Sequence, residues 1–131
     1  QTHQSDLDEG AVLVVDDDKI IVESLVEFLR LEGYEAQGVG SFAEAVKVLD
    51  RRPFHLMISD VTMPDSDGFE LLRLVRQRYP EIVVVMITGY GRTLKAVIEE
   101  ARSLGVRAVI DKPFKINQIT EAIREIIPHA D

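Results

Sequence analysis

Acidic side chains that could bind a metal ion occur at two places, each directly after a short apolar run. Asp16, Asp17 and Asp18 follow VLVV, and Asp60 follows LMIS. Carboxylates crowded together repel one another and are costly to bury, so water or a cation must lie among them. Carboxylate oxygens suit Mg²⁺, and an aspartate can attack phosphorus to form an aspartyl phosphate. These residue types therefore indicate metal-assisted phosphoryl transfer.

Two further polar residues end apolar runs of the same kind. Thr88 closes VVVMIT, and Lys112 lies within IDKPF. A hydroxyl and an ammonium group beside the acids would hydrogen-bond and neutralise phosphoryl oxygens. Each signal also has a plainer explanation: Asp18 is predicted to cap a helix, whereas Asp16 and Asp17 are evenly balanced between capping and metal binding. The single residues are weak signals, but their convergence at one place in the fold would be a specific signal of a functional site.

The apolar runs alternate with stretches of helical spacing. Strands are predicted at Ala11–Val15, Tyr34–Val39, Phe54–Ser59, Ile82–Thr88 and Val106–Ile110. Five strand–helix units in strict alternation predict an α/β fold with a parallel sheet between two helix layers. YEAQGV and VRAVI carry polar residues typical of edge strands, which gives the flavodoxin-like (βα)5 order 2-1-3-4-5. In this fold ligands bind outside the carboxyl ends of the strands, where the polar residues converge.

Local signals mark the ends of the predicted helices. Ser41 and Glu44 have the spacing of a capping box, and Gly33 and Gly105 come just after predicted helix ends. Asp111, next to Lys112, should point to the opposite side of its strand. No chemical role for Asp111 follows from the sequence.

Composition narrows the class of protein. The chain has 131 residues, 46% of them hydrophobic, a net charge of −8 and no cysteine, which fits one globular domain without disulfides. The negative charge disfavours direct nucleic-acid binding, and no apolar run is long enough to span a membrane. A cytoplasmic domain is predicted over residues 11–127, with a flexible lead-in at 1–10 and a tail at 128–131.

Four motifs together resemble those of one known family. VLVVDDD, SDVTMPDSDG, VVMITGYG and VIDKPF resemble the receiver domain of two-component response regulators, over about residues 11 to 127. The resemblance implies a signalling domain rather than a classical enzyme. Its expected partners are a sensor histidine kinase or phosphotransfer protein and an unknown output domain or target protein. A homodimer is left open.

The resemblance also implies a role for each motif residue. Asp60 is expected to be the phosphoacceptor, which takes the phosphoryl group from a phosphohistidine. Thr88 is expected to supply the switch hydroxyl, and Lys112 to contact the phosphoryl group. The implied metal is Mg²⁺ or Mn²⁺. Its expected ligands are the carboxylates of Asp16, Asp17 and Asp60 and the backbone carbonyl of Thr62. By the same similarity the Lys112–Pro113 peptide bond is expected to be cis.

The sequence departs from the family pattern at Val109. Receivers usually have tyrosine or phenylalanine at this position, three residues before the motif lysine, and the ring turns inward on activation. Valine has no ring to turn, so the usual readout through helix four, strand five and helix five is in doubt. Two hypotheses therefore remain: a phosphorylation switch, and a constitutive protein-interaction module on a receiver scaffold. The intact acidic pocket favours the switch.

Overall fold

The computed structural model describes residues 11–60, 69–89 and 95–127, and these form five strand–helix units. The strands are β1 (Ala11–Val15), β2 (Glu35–Val39), β3 (Leu56–Asp60), β4 (Val83–Thr88) and β5 (Ala108–Asp111). The helices are α1 (Lys19–Leu31), α2 (Phe42–Arg51), α3 (Glu70–Arg78), α4 (Lys95–Ser103) and α5 (Ile116–Ile126). The predicted lead-in and tail lie outside the described residues. Within the described ranges, no helix is both long and apolar enough to cross a membrane.

The sheet has the predicted topology. Its strands lie in the order β2-β1-β3-β4-β5, and every neighbouring pair is parallel. β1, β3 and β4 are almost wholly buried, whereas the edge strands β2 and β5 mix buried and exposed positions. Central parallel strands are covered on both faces and therefore need apolar residues throughout, which is the difference that the sequence shows. The flavodoxin-like order is confirmed.

Two apolar clusters, one on each face of the sheet, hold the layers together. On one face α1 and α5 pack on the even-numbered residues of β1, including Val12 and Val14. On the other face α2 and α3 pack on the odd-numbered residues of β1, including Leu13 and Val15. Side chains alternate between the faces of a strand, so each central strand contributes to both clusters. Because all five strands are parallel, their carboxyl ends lie at the same rim of the sheet.

Some strand limits differ from those predicted. β3 begins at Leu56 instead of Phe54 and continues through Asp60, and β5 covers Ala108–Asp111 instead of Val106–Ile110. Phe54 is buried in the core before strand pairing starts, and the Val106 N–H donates to the carbonyl of Ala101 at the end of α4. Hydrophobicity marks burial here, whereas the limits of a strand depend on its backbone partners.

The helix caps agree with the sequence in most respects. Asp18 caps α1, where its carboxylate accepts the N–H groups of Ile20 and Ile21. Ser41 caps α2 by accepting the Glu44 N–H, but the Glu44 carboxylate accepts the N–H of Gly40 rather than that of Ser41. The capping box is therefore only half formed.

Gly33 and Gly105 have positive φ angles of 98° and 80° at the ends of α1 and α4. Only glycine adopts that conformation without strain.

Gly38 in β2 lets α1 approach the sheet closely. A Cβ atom at this position would lie 2.2 Å from Val22 Cγ1 and 3.1 Å from Val26 Cγ2. Both neighbours are valines of α1, whose χ1 angles are stiff, so neither can move aside easily. The missing side chain therefore sets the distance between α1 and β2.

We expect Gly38→Ala to lower the free energy of unfolding by about 1 to 3 kcal/mol, because the added methyl group overpacks this contact. Urea denaturation followed by circular dichroism measures the change. Gly40→Ala is the matched control, since among the described residues a Cβ there meets only the Asp16 carbonyl oxygen, at 3.8 Å. Equal stability of the two variants would show that the close packing of α1 on β2 does not depend on glycine at position 38.

Candidate functional site

Three of the predicted site residues meet at the carboxyl rim because the parallel strands β1, β3 and β5 all end there, with β4 between the last two. Asp16 follows β1, Asp60 is the last residue of β3, and Lys112 follows β5. Asp16 is 1% exposed and Asp60 is fully buried, while the Lys112 side chain is 7% exposed. These are unusual surroundings for ionised groups, which are almost never buried unless paired. The strand order thus brings together residues that lie 96 positions apart in the chain.

Lys112 is shared between the two buried carboxylates. Its Nζ atom lies 3.0 Å from Asp16 Oδ2 and 3.1 Å from Asp60 Oδ2. The other Asp16 oxygen, Oδ1, accepts the backbone N–H of Asp18 at 2.9 Å. The N–H of Asp16 itself donates to the carbonyl of Val39, which ties the end of β1 to β2. The position of the first acid is therefore fixed by its backbone as well as by charge.

The charges of this group do not balance. Burial raises the pKa of Asp16 to about 6, and the nearby Asp60 carboxylate adds to the rise, against the lowering effects of the Asp18 N–H and Lys112. Burial also disfavours the charged form of Lys112, but its ion pairs with Asp16 and Asp60 outweigh burial and raise its pKa. One ammonium group gains from two carboxylates, whereas each carboxylate receives only a share of one ammonium. Among the described residues, the site is therefore short of positive charge.

The acids are arranged so that a cation could supply this charge. Asp16, Asp17 and Asp60 each offer a carboxylate oxygen, and the three oxygens lie within 4.8 Å of one another. Asp16 Oδ2 is buried and, although close to Lys112, receives no hydrogen bond of normal geometry from the described residues. Asp17 is exposed, so the cluster opens to solvent on that side. Oxygen ligands with an open side suit Mg²⁺, which usually retains several waters.

One predicted metal ligand lies outside the described residues. It is Thr62, whose backbone carbonyl is expected at the metal. Asp18 takes no part in the cluster because its carboxylate is bound to the amino end of α1. The three consecutive aspartates therefore divide into two acids at the site and one helix cap.

Thr88 ends β4 at the same rim, fully buried. Its hydroxyl donates a hydrogen bond to Asp111 Oδ1 at 3.0 Å. The parallel register pairs Thr88 with Asp111, and paired residues point to the same face of a sheet. Asp60 is paired with Ile87, the residue before Thr88, so its side chain and that of Thr88 leave the sheet on opposite faces. Thr88 is thus at the rim, but its hydroxyl is engaged with Asp111.

Asp111 is the residue whose role the sequence did not reveal. It was predicted to point away from Lys112, and the partner on that side is the buried Thr88 hydroxyl. The signal available was that VVVMIT and AVID end neighbouring strands, but only the register shows that the threonine and the aspartate are opposite each other. Val109 lies on the same face and is half-buried. The Lys112–Pro113 peptide bond is cis, as expected.

Comparisons with known proteins agree with this geometry. The family model described as "Response regulator receiver domain" matches residues 12–124. The response regulator protein FleR of Pseudomonas aeruginosa is 41% identical over 112 residues, which cover 86% of this chain and 23% of FleR. The transcriptional regulatory protein FixJ of Bradyrhizobium diazoefficiens is 34% identical over 126 residues, which cover 94% of this chain and 59% of FixJ.

A solved structure shares both fold and sequence. The CheY-like response regulator receiver domain protein from Methanospirillum hungatei superposes with a TM-score of 0.80 at 31% identity, covering 88% of this chain and 90% of that one. The chain spans less than two thirds of the length of the curated relatives described above.

Removal of one buried charge should stabilise the metal-free protein. At pH 8 in EDTA, we expect Asp16→Asn to raise the free energy of unfolding by about 1 to 2 kcal/mol. A carboxyl pKa raised from 3.8 to about 6 costs on the order of 3 kcal/mol in the ionised state. The gain in stability is smaller than this because the new amide group lies beside the Lys112 ammonium.

The sign of the effect fixes its pH dependence. Folded Asp16 binds a proton more tightly than unfolded Asp16, so the ionised form destabilises the fold above about pH 6, and the penalty disappears below about pH 4. The gain from Asp16→Asn should follow the same course in urea titrations. Asp18→Asn, which can still cap α1, should change stability little at either pH. A pH-independent difference, or destabilisation at pH 8, would contradict this electrostatic assignment.

Proposed function

Because the chain belongs to the response regulator receiver family, we propose that it accepts a phosphoryl group on Asp60 from the phosphohistidine of a sensor histidine kinase or phosphotransfer protein. The observation that carries this proposal is the buried pair of Asp60 and Lys112, in which Asp60 also forms a cluster of carboxylates with Asp16 and Asp17. A buried aspartate next to a cation-binding site is arranged for nucleophilic attack on phosphorus.

The transfer forms one bond and breaks another. A carboxylate oxygen of Asp60 attacks phosphorus, the bond between phosphorus and the donor nitrogen breaks, and the donor imidazole leaves as the neutral base after taking up a proton. The product is a mixed anhydride of the Asp60 carboxyl group with phosphate. Asp60 must be ionised to attack, and the Lys112 ammonium at 3.1 Å favours that form.

Charge has to be supplied for the reaction, because a phosphoryl group brings further negative charge to a rim that is already acidic. Lys112 is placed to contact a phosphoryl oxygen on Asp60 by a charge-assisted hydrogen bond. Asp16 and Asp17, with Asp60, are the described residues that would hold Mg²⁺ or Mn²⁺. When bound, the ion supplies positive charge that offsets the carboxylates and the transferring group. The Thr62 carbonyl is the fourth ligand of this proposal.

The new group on Asp60 would be read by Thr88. A phosphoryl group adds strong acceptor oxygens, and the Thr88 hydroxyl is the donor at the end of the neighbouring strand. Movement of the hydroxyl toward Asp60 shifts a two-state equilibrium that an output domain or target protein detects. With a net charge of −8, this domain is suited to contacting a protein and not to binding nucleic acid itself.

A constitutive interaction module is the second candidate, and Val109 favours it. The half-buried valine cannot provide the rotating ring that usually reports activation in receivers. On that hypothesis, the surface bound by a partner would be the same with and without phosphorylation. Amide hydrogen exchange of α4 and β5, compared between the two forms, separates the hypotheses.

We expect incubation with Mg²⁺ and acetyl phosphate to add one phosphoryl mass that hydroxylamine removes, since hydroxylamine cleaves acyl phosphates. Intact-protein mass spectrometry measures the gain, and Asp60→Asn should abolish it. Asp111→Asn is the matched control, because it removes an acid from the same rim without removing the nucleophile. A modification that persists in Asp60→Asn, or none with any donor or kinase, would contradict the proposed phosphoacceptor.

Two adjacent aspartates provide a controlled test of the metal site. We expect Asp17→Asn to weaken Mg²⁺ binding by about tenfold or more and to slow phosphorylation in parallel, because a carboxylate ligand is lost. Asp18→Asn removes the same charge one residue further along but leaves a side chain that can cap α1, so it should change Mg²⁺ affinity by less than about threefold. Isothermal titration calorimetry measures both affinities. Equal losses would show that bulk charge, not coordination, holds the ion.

A further inference from the structure

We propose that Asp111 is a positioning residue that holds the Thr88 hydroxyl away from Asp60 until a phosphoryl group competes for it. The Thr88 hydroxyl lies 3.0 Å from Asp111 Oδ1 and donates to it. A hydroxyl has one hydrogen, so the same donor cannot serve Asp111 and a phosphoryl oxygen at full strength. This role rests on the proposed function, because the competing acceptor is the phosphoryl group on Asp60.

The surroundings of the two residues make the bond effective. Thr88 is fully buried, and a buried hydroxyl without an acceptor is costly, so the side chain is held wherever an acceptor is found. The acceptor, Asp111, is exposed on the edge strand β5. It accepts through a carboxylate oxygen, and hydrogen bonds to carboxylates are stronger than those between neutral groups.

The backbone fixes the pair in register. Thr88 and Asp111 are directly paired between β4 and β5, and the Lys112 N–H donates to the Thr88 carbonyl at 2.8 Å. Asp60 lies beside Ile87, so the Thr88 hydroxyl has to turn across its own strand to reach the phosphoryl group. Asp111 is on one side of this movement, and the phosphoacceptor is on the other.

This arrangement also offers a role for the departure at Val109. Val109 and Asp111 are two residues apart on β5, so both face the side of the sheet to which Thr88 points. Valine has no ring that could turn inward when the threonine moves, as the aromatic residue of other receivers does. Restraint of the hydroxyl by Asp111, released on phosphorylation, gives the chain a threshold for switching that does not require a ring.

The consequence is a measurable cost for binding a phosphoryl mimic. In saturating Mg²⁺, we expect Asp111→Ala to bind beryllofluoride about three- to tenfold more tightly than the unaltered chain, because the competing acceptor is gone. Asp111→Asn keeps an oxygen acceptor but loses the charge, so its affinity should lie between the two. NMR titration or calorimetry gives the affinities.

The same comparison in a Thr88→Val background separates positioning from simple electrostatics. Loss of a negative charge near an anion tightens binding whether or not a hydroxyl is present, so an electrostatic effect would appear equally in both backgrounds. Positioning predicts that Asp111→Ala has no effect once the hydroxyl is absent. Equal tightening in the two backgrounds, or no tightening in either, would overturn the role assigned to Asp111.

A second readout needs no phosphoryl group. Scalar couplings to the Thr88 methyl group report its χ1 angle, and in the free protein this angle should become averaged when Asp111 is replaced by alanine. An unchanged single rotamer would overturn the proposal. If the unaltered chain bound no beryllofluoride and accepted no phosphoryl group, the proposed function would fail, whereas the rotamer measurement would still decide whether Asp111 holds Thr88.

Discussion

The described part of the site is organised around a shortage of positive charge at the carboxyl rim of the sheet. Two carboxylates that are almost inaccessible to solvent share one ammonium group, and a third carboxylate lies on the open side. Such an arrangement is unfavourable for folding, because the buried acids are only partly compensated. It is maintained because the backbone of three strands fixes where the acids lie. The stability that is forgone here becomes affinity for whatever cation or proton restores the balance.

The two halves of the rim differ in how they are held. On the side of β1, the Asp16 N–H donates to the Val39 carbonyl, the Asp16 carboxylate accepts the Asp18 N–H, and α1 packs closely on Gly38. On the side of β5, the Thr88 hydroxyl is held by a bond to another side chain, Asp111. A side chain can change partner by rotation, whereas a backbone ladder cannot. The first acid of the site is thus fixed by backbone groups, whereas the Thr88 hydroxyl is held by a side-chain partner that rotation can exchange.

The sequence was sufficient for the fold because the decisive signals are local. Apolar character distinguished the central strands from the edges, and caps such as Asp18 follow from the residues next to them. The convergence of Asp16, Asp60 and Lys112 could also be predicted, since strand order fixes which strand ends are neighbours. The strand limits at Phe54 and Val106 could not, because burial begins before backbone pairing does.

The role of Asp111 was likewise beyond the sequence. Alternation along β5 gives the face of the residue, but its partner depends on how β4 and β5 are aligned, and no pattern within either strand encodes that alignment. The Thr88 hydroxyl was expected at the phosphoryl site from the resemblance alone. Its engagement with Asp111 adds a state that motif comparison does not describe, because motifs identify residues and not their rotamers.

The close fit of α1 at Gly38 has a consequence for the energetics of the pocket. Since a contact between backbone and valine side chains locates α1, neither protonation nor ion capture has to move the helix that follows the acid pair. The α1 side of the pocket is therefore preorganised, because its position is settled during folding. A proton or cation bound by the acid pair would not have to move α1, so little of the relieved repulsion would be lost to moving this helix.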